Sequence, residues 1–466
     1  MPRIKKTWRL VISAILSLTY IMVLVSPASA QSLIRDTEIE ATLREFSDPI
    51  IRAAGLNASN VDIFLVNDKS LNAFVTRGQK MFFHTGLILE SQTPNQLKGV
   101  IAHETGHIAA GHLARSDYGS RSAYGAWLIA AGIGLAAILA GEGQAGALIL
   151  GGSQQFGTLE VLAYSRANEA AADQYAAQYM ERTGQSGKGL IEFFEKFRYQ
   201  EVLSNARRFP YFRGHPLSSQ RIDALREVVD ESPHTEVEDS PKDIEKLEIA
   251  KAKLRGFLES PQLVFSRYPE TDTSFEARYA RAVAHFRSAS LGSAIREVNA
   301  LIESDPQNPY FHELHGQILY ESGKGQEAIA PLQRAIQLKP DAPLLEIMLS
   351  QALIESENEI KVQQAIKHLK SALQKETTSS FAWYYLSQAY GSLGKNALAK
   401  YAIAEQAFNS GDMQRARSFA QRAREDLDRG IPQYRRASDI IVVADTELAK
   451  RRNRGNRQRP FTFTVK

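Results

Sequence analysis

Ala294 and Ala328 stand 34 residues apart, and so do Val298 and Leu332, and Pro306 and Pro340. That period is too long for a turn of helix or a pleat of strand; it is the length of a helix pair repeated along the chain. The series resumes at Ala365 after a slip of three residues and continues at Ala399, another 34 on. Gly316, Gly323, Leu332 and Ala335 fill the positions that such a unit requires. One pair cannot bury its apolar face alone, so neighbours must stack into a superhelix whose concave side suits extended partners. The repeat fades around Glu355-Ser356-Glu357-Asn358-Glu359-Ile360, where a plain helical bundle is the alternative.

At 466 residues the chain has room for two or three domains and a sizeable core. An acidic stretch marked by proline, Glu231 to Pro241, reads as a linker or exposed connection. The expected division is a targeting segment at 1–30, a catalytic domain at 31–232, a linker and connecting helix at 233–265, repeats at 266–445 and a basic tail at 446–466. Arg3, Lys5, Lys6 and Arg9 precede a largely apolar run from Leu10 to Val25, and Ala28-Ser29-Ala30 offers a small-residue cleavage site before Gln31. This is the pattern of a secretory signal, which implies export to the periplasm; a retained membrane anchor is the alternative. Those four cations equal the net charge of +4, so without them the rest of the chain is close to neutral. Cysteine is absent, so an oxidising compartment is tolerated although not demonstrated.

The chemistry lies in His103-Glu104-Thr105-Gly106-His107. On a helix, positions i and i+4 share a face, so both imidazoles can reach one metal ion with Glu104 beside it, the signature of a zinc metalloprotease. Gln96 to Ala102 leads in with helical periodicity, and Thr93 followed by Pro94 supplies a helix cap with proline at the first helical position. Catalytic zinc takes three protein ligands, so a third must come from elsewhere. Glu169 is the candidate: it lies in Asn168-Glu169-Ala170-Ala171-Ala172-Asp173, whose small residues permit close helix approach, with Asp173 one turn further on. His112 is a rival, but Gly111 and His112 do not fit the spacing of the metzincin motif; it reads as a helix-face residue or one lying behind the ligands.

Together these residues resemble the gluzincin group related to the CAAX prenyl endopeptidases. Asn72-Ala73-Phe74-Val75, followed by Gly78 and the apolar run to Gly86-Leu87, resembles the strand pair ahead of that family's active-site helix. Gly214-His215-Pro216-Leu217, with Arg221-Ile222 after it, resembles the His-Pro segment that closes its catalytic domain. The resemblance covers roughly residues 35 to 230. It implies a mainly α chain: a zincin-type metalloprotease domain with a small β-sheet, then a tetratricopeptide-repeat superhelix. It further implies a protease and chaperone of the cell envelope acting on unfolded or misassembled outer-membrane proteins, with contact to the β-barrel assembly machinery through the repeats.

The ligand set predicts one zinc per chain on His103, His107 and Glu169, with its water acidified to a pKa of about 7. Glu104 is the expected general base, and Asp173 either orients a ligand histidine or donates a proton later in the cycle. Asn72, Ala73 and Phe74 are expected to offer an edge strand to which extended substrate adds. His215, between Gly214 and Pro216, is expected to be a fourth ligand that keeps the protease latent. Ala126 to Gly152, nearly all Ala, Gly, Ile and Leu, reads as a short apolar hairpin near the cleft with possible peripheral membrane contact. The cationic run Lys450 to Arg459 reads as a solvated, disordered tail; without a recognition fold or interleaved aromatics, no nucleic-acid partner is expected. The alternative for the whole chain is a repeat-based chaperone or adaptor whose protease site is mostly shut.

Overall fold

The computed structural model of the chain describes residues 33–76, 78–112, 166–203, 215 and 217–457. Residues 1–30, where a targeting segment is expected, the Ala126–Gly152 run, and Gly214 and Pro216 lie outside them. The described elements are mainly helical around one small sheet.

Helix α1 (Thr37–Ala53) starts at Asp36, whose carboxylate accepts from the amides of Glu38 and Ile39, and it buries Ile39, Leu43, Phe46 and Ile50. One strand precedes this helix and three come after it: β1 (Leu33–Ile34), β2 (Asp62–Val66), β3 (Ala73–Thr76) and β4 (Lys80–His84), in the sheet order β1-β2-β4-β3. β2 and β4 run parallel, and β1 and β3 flank them antiparallel. Alternation sends Ala73, Val75, Met81 and Phe83 into the core. The opposite face carries a row of stacked rings, with Phe82 4.9 Å from Phe64 and 4.8 Å from Phe74 between centroids.

Helix α2 (Thr85–Glu90) leads to α3 (Pro94–Ala109), which has the expected Thr93 cap and Pro94 start and packs against β3. Residues 166–182 form α4, followed by α5 (Lys188–Leu203) and α6 (Ser219–Asp230). The acidic stretch before Pro241 is docked rather than free. Asp239 accepts from the Asn95 amide at 2.8 Å in the first turn of α3, and Lys98 reaches Asp239 and Asp243 at 3.5 and 2.8 Å. A carboxylate at a helix N-terminus is favoured by the helix dipole, which is why an acidic connection settles there.

Helix α7 (Pro241–Leu258) serves two cores: Leu247, Ala250 and Leu254 join that of the first half, while Ile249 packs with Tyr279, Val283 and Phe311. Beyond α8 (Pro261–Arg267), helices pair as α9 (Phe275–Arg287) with α10 (Leu291–Ser304), α11 (Pro309–Glu321) with α12 (Gly325–Leu338), α13 (Pro343–Glu355) with α14 (Glu359–Lys375), and α15 (Ser380–Ser392) with α16 (Asn396–Asn409). Then come α17 (Met413–Asp426) and α18 (Pro432–Arg457). The turn within each of the four pairs holds one residue at positive φ: Ala289, Gly323, Glu357 and Gly394. These lie 34, 34 and 37 positions apart. The slip of three arises in α14, which has 17 residues where α12 has 14, so the break in the pattern is an added near-turn of helix and not a loss of the repeat. One expectation fails: α18 carries helix through Lys450 to Arg457, where the sequence suggested a disordered tail. Arginine and lysine are good helix formers, and Glu447 pairs with Lys450 at 2.7 Å one turn on. No described helix is long and apolar enough to cross a membrane.

Candidate metal centre

Helix α3 is buried along most of its length, and its motif glycine decides what it can approach. A Cβ on Gly106 would stand 3.1 Å from the Ala172 carbonyl oxygen and 3.2 Å from its Cα, so α3 and α4 meet there backbone to backbone. This contact sets Glu169 and Asp173 of α4 against His103 and His107 of α3. His103 Nε2 lies 3.1 Å from His107 Nε2 and 3.4 Å from Glu169 Oε2, and Glu169 Oε1 lies 3.4 Å from His107 Nε2. His215 closes the group, its Nδ1 3.0 Å from Glu169 Oε2 and 3.2 Å from His103 Nε2. These four side chains each offer a ligand atom, all within 4.8 Å of one another. Lone pairs of imidazole and carboxylate converging this closely require a shared proton or a cation. A tetrahedron of metal bonds of about 2.0–2.1 Å has edges of about 3.3–3.4 Å, so the donor set fits a zinc-sized ion.

The two histidine rings of α3 are held from behind. His103 Nδ1 lies 3.0 Å from Asp173 Oδ1, and His107 Nδ1 lies 3.0 Å from His112 Nδ1. Such contacts fix ring orientation and tautomer. Asp173 thus sits at the nitrogen of His103 that faces away from the donor cluster. It is in turn clasped by Arg221, whose Nε and Nη2 donate to its two oxygens at 2.7 and 2.8 Å. The same guanidinium reaches Glu169 Oε2 at 3.3 Å and lies over the Phe194 ring, 5.3 Å from its centroid. The sequence placed Arg221 beside the His-Pro segment without a role; its bond to Asp173 spans 48 positions and leaves no local signal.

The charges follow from this packing. Burial opposes a charge on His103, but hydrogen bonds and charge from Asp173 and Glu169 outweigh it and raise the ring to about 9. Burial, then the neighbouring His103 charge, lowers His107 to about 2. For Glu169, burial is outweighed by the hydrogen bonds and charges of His103 and His215, which hold it well below the carboxylate range. Asp173 is held low against burial by His103 and Arg221. Glu104 differs: fully buried, its carboxyl is raised by desolvation, and neither oxygen has a hydrogen-bond partner among the described residues. Its Oε1 lies 3.5 Å from His215 Nε2, on the border of the donor cluster.

Asn72, Ala73 and Phe74 lie at the start of the sheet's edge strand β3, beside α3. The Asn72 carbonyl accepts from the His84 amide at 3.0 Å, which ties the start of the strand to β4.

Residues 35–229 match the model of Peptidase family M48. Among relatives, "Beta-barrel assembly-enhancing protease" of Escherichia coli (strain K12) is 26% identical over 438 residues, covering 92% of this chain and 86% of that one. The Yersinia pestis protein of the same name is 24% identical over 390 residues, covering 82% and 79%. "Metalloprotease LoiP" of Escherichia coli (strain K12) is 29% identical over 177 residues, covering 37% of this chain and 64% of its own length.

Proposed function

With residues 35–229 in peptidase family M48, and the chain therefore a metallopeptidase, we propose that it is a zinc endopeptidase and chaperone of the periplasm. The observation that carries this reading is the convergence of His103, His107, Glu169 and His215 beside a buried Glu104 that has no hydrogen-bond partner among the described residues. His103, His107 and Glu169 would hold the zinc, one ion per chain. When bound, zinc supplies Lewis acidity, making a water ionise near neutral pH and polarising the peptide carbonyl. Glu104, with its carboxyl raised by burial, accepts the proton of the attacking water and returns it to the leaving amine. Asp173, gripped by Arg221, keeps the His103 ring in one tautomer and one direction. The edge strand β3 receives extended substrate by main-chain hydrogen bonds from its Asn72-Ala73-Phe74 start, which gives broad sequence tolerance.

The proposed division is a signal at 1–30, the protease at 31–232, a connection at 233–265, repeats at 266–445 and a tail at 446–466. The two-sided packing of α7 supports a connecting role for that helix. The basic and apolar N-terminal segment supports export. The relatives' name, beta-barrel assembly-enhancing protease, supports a part in β-barrel assembly; the proposal adds unfolded or misassembled outer-membrane proteins as substrates and the β-barrel assembly machinery as a partner of the repeats.

A second reading, a chaperone whose protease is latent, is favoured by one observation: His215 Nδ1 stands in the donor set, as a fourth donor beside the three proposed zinc ligands. One panel of variants tests both readings on an unfolded model substrate. Glu104→Gln should keep its zinc and lose cleavage; undiminished cleavage would remove the general-base assignment. His215→Ala should cleave faster than the parent, and Glu104→Gln with His215→Ala not at all. A folded, zinc-loaded His215→Ala protein that cleaves more slowly would make His215 a helper of catalysis or binding.

A further inference from the structure

Where the repeats meet the first half of the chain, acids outnumber bases in a buried place. Lys253 of α7 lies 2.7 Å from Asp36 and 3.4 Å from Glu38, and the Tyr279 hydroxyl donates to Glu38 at 2.9 Å. Glu313 of α11 is also buried and accepts from the Thr37 hydroxyl with one oxygen. Its other oxygen, Oε2, has no partner among the described residues. Two carboxylates thus share one ammonium group, which Glu313 feels by charge without pairing to it, and the nearby Arg35 is engaged by Glu40 and Glu376 at 2.7 Å each. Burial, only partly opposed by Lys253, pushes Glu313 up to about 7, so an added cation would relieve it.

Glu313 lines a cavity of about 600 Å³ between β1 and the first helices of successive repeats, a volume typical of ligand sites. Much of the wall is apolar, with Ile34, Phe257, Leu344, Met348 and Phe381, and Gln351 among them; Arg35, Asp36 and Lys253 also line it, the two cations already paired with acids. We propose that this cavity binds an apolar segment of an extended polypeptide carrying one lysine or arginine, whose cation pairs with Glu313. Charge complementarity selects the cation, because Lys253 and Arg35 are already engaged by other carboxylates while Glu313 Oε2 has no partner among the described residues. The setting selects a polypeptide: one wall is a terminal strand of the sheet, and another is formed by successive repeat helices, both of which take extended chains. The site is separate from the metal centre and does not depend on cleavage.

Fluorescence anisotropy on the full-length Glu104→Gln protein tests this with three labelled peptides, Ala-Leu-Val-Lys-Phe-Leu-Ala and its versions with norleucine or glutamate in place of lysine. The lysine peptide should bind at least about tenfold more tightly than the norleucine peptide, as expected for a charge-assisted bond in a buried site, and the glutamate peptide more weakly still. Adding Glu313→Gln should abolish the preference for lysine while leaving norleucine binding nearly unchanged. Adding Gln351→Trp, a partly exposed wall position, should block all three. Equal affinity for all peptides, undetectable binding of the lysine peptide, or a lysine preference that survives Glu313→Gln would overturn the proposal. A folded Gln351→Trp protein that binds as the parent does would overturn it too, and circular dichroism of each variant verifies the fold. Because no cleavage is read, failure here leaves the protease reading standing, and failure of that reading leaves this one.

Discussion

The pair α3–α4 and the pair α11–α12 are joined by the same device and put to different ends. In each, a glycine of one helix admits the other: Gly106 admits the Ala172 backbone, and Gly316 admits Leu332, whose Cγ would lie 2.4 Å from an added Cβ. In the repeats the groups brought together are Leu314, Leu332 and Ala335, all buried and apolar, so close approach yields packing and stability. In the catalytic half they are His103, Glu104, His107, Glu169 and Asp173, all buried and polar. Buried charges stabilise poorly and are costly when a partner is removed. One half is therefore specialised for holding shape, the other for holding chemistry.

This contrast is sharpened most by separating metal affinity from stability. Asp173→Asn and Arg221→Met should each weaken zinc binding about 10–100-fold, the usual effect of removing the partner behind a ligand. Leu332→Ala should cost about 2–5 kcal/mol of stability and leave zinc binding alone. Zinc titration against a competing chelator, beside thermal unfolding, reads both; equal zinc loss in Leu332→Ala would erase the distinction.

A smaller effect concerns pH at the seam between the halves. The carboxyl of Glu313 is raised from about 4.5 to about 7 by burial, so the folded chain retains a proton that the unfolded chain releases. Its stabilising contribution is present below about 4.5 and is lost as pH rises through about 7, by at most about 1.4 kcal/mol per pH unit. Thermal unfolding between pH 4.5 and 7 should fall more steeply in the parent than in Glu313→Gln, and parallel curves would contradict the assignment. Smallest of all, Ala289 and Glu357 occupy the positive-φ turn position that Gly323 and Gly394 fill elsewhere. Ala289→Gly and Glu357→Gly should each stabilise by about 0.5–1 kcal/mol in urea unfolding, because glycine adopts that conformation without a Cβ clash.

What was legible in the sequence depended on distance along the chain. The i and i+4 histidines, the 34-residue period and the small residues facing Gly106 are local or periodic signals, and the structure brings His103, His107, Glu169 and His215 together. The clasp of Arg221 on Asp173 and the pairing of Lys253 with Asp36, 217 positions apart, have no period and no motif. They arise only when the folded helices set the groups side by side. The helical start of the basic tail was missed for another reason: its composition resembles a solvated chain, while its local pairing and propensity favour helix.

Metal content tests the central claim most directly. Purified chain and its Glu169→Ala variant, both verified as folded, would be analysed for zinc by mass spectrometry after dialysis. The account predicts about one zinc per parent chain and strongly reduced zinc in the variant, because the Glu169 carboxylate lies 3.4, 3.4 and 3.0 Å from His103, His107 and His215 and is the anionic donor of the set. Full zinc occupancy in Glu169→Ala, or a parent chain that binds no zinc at all, would contradict it.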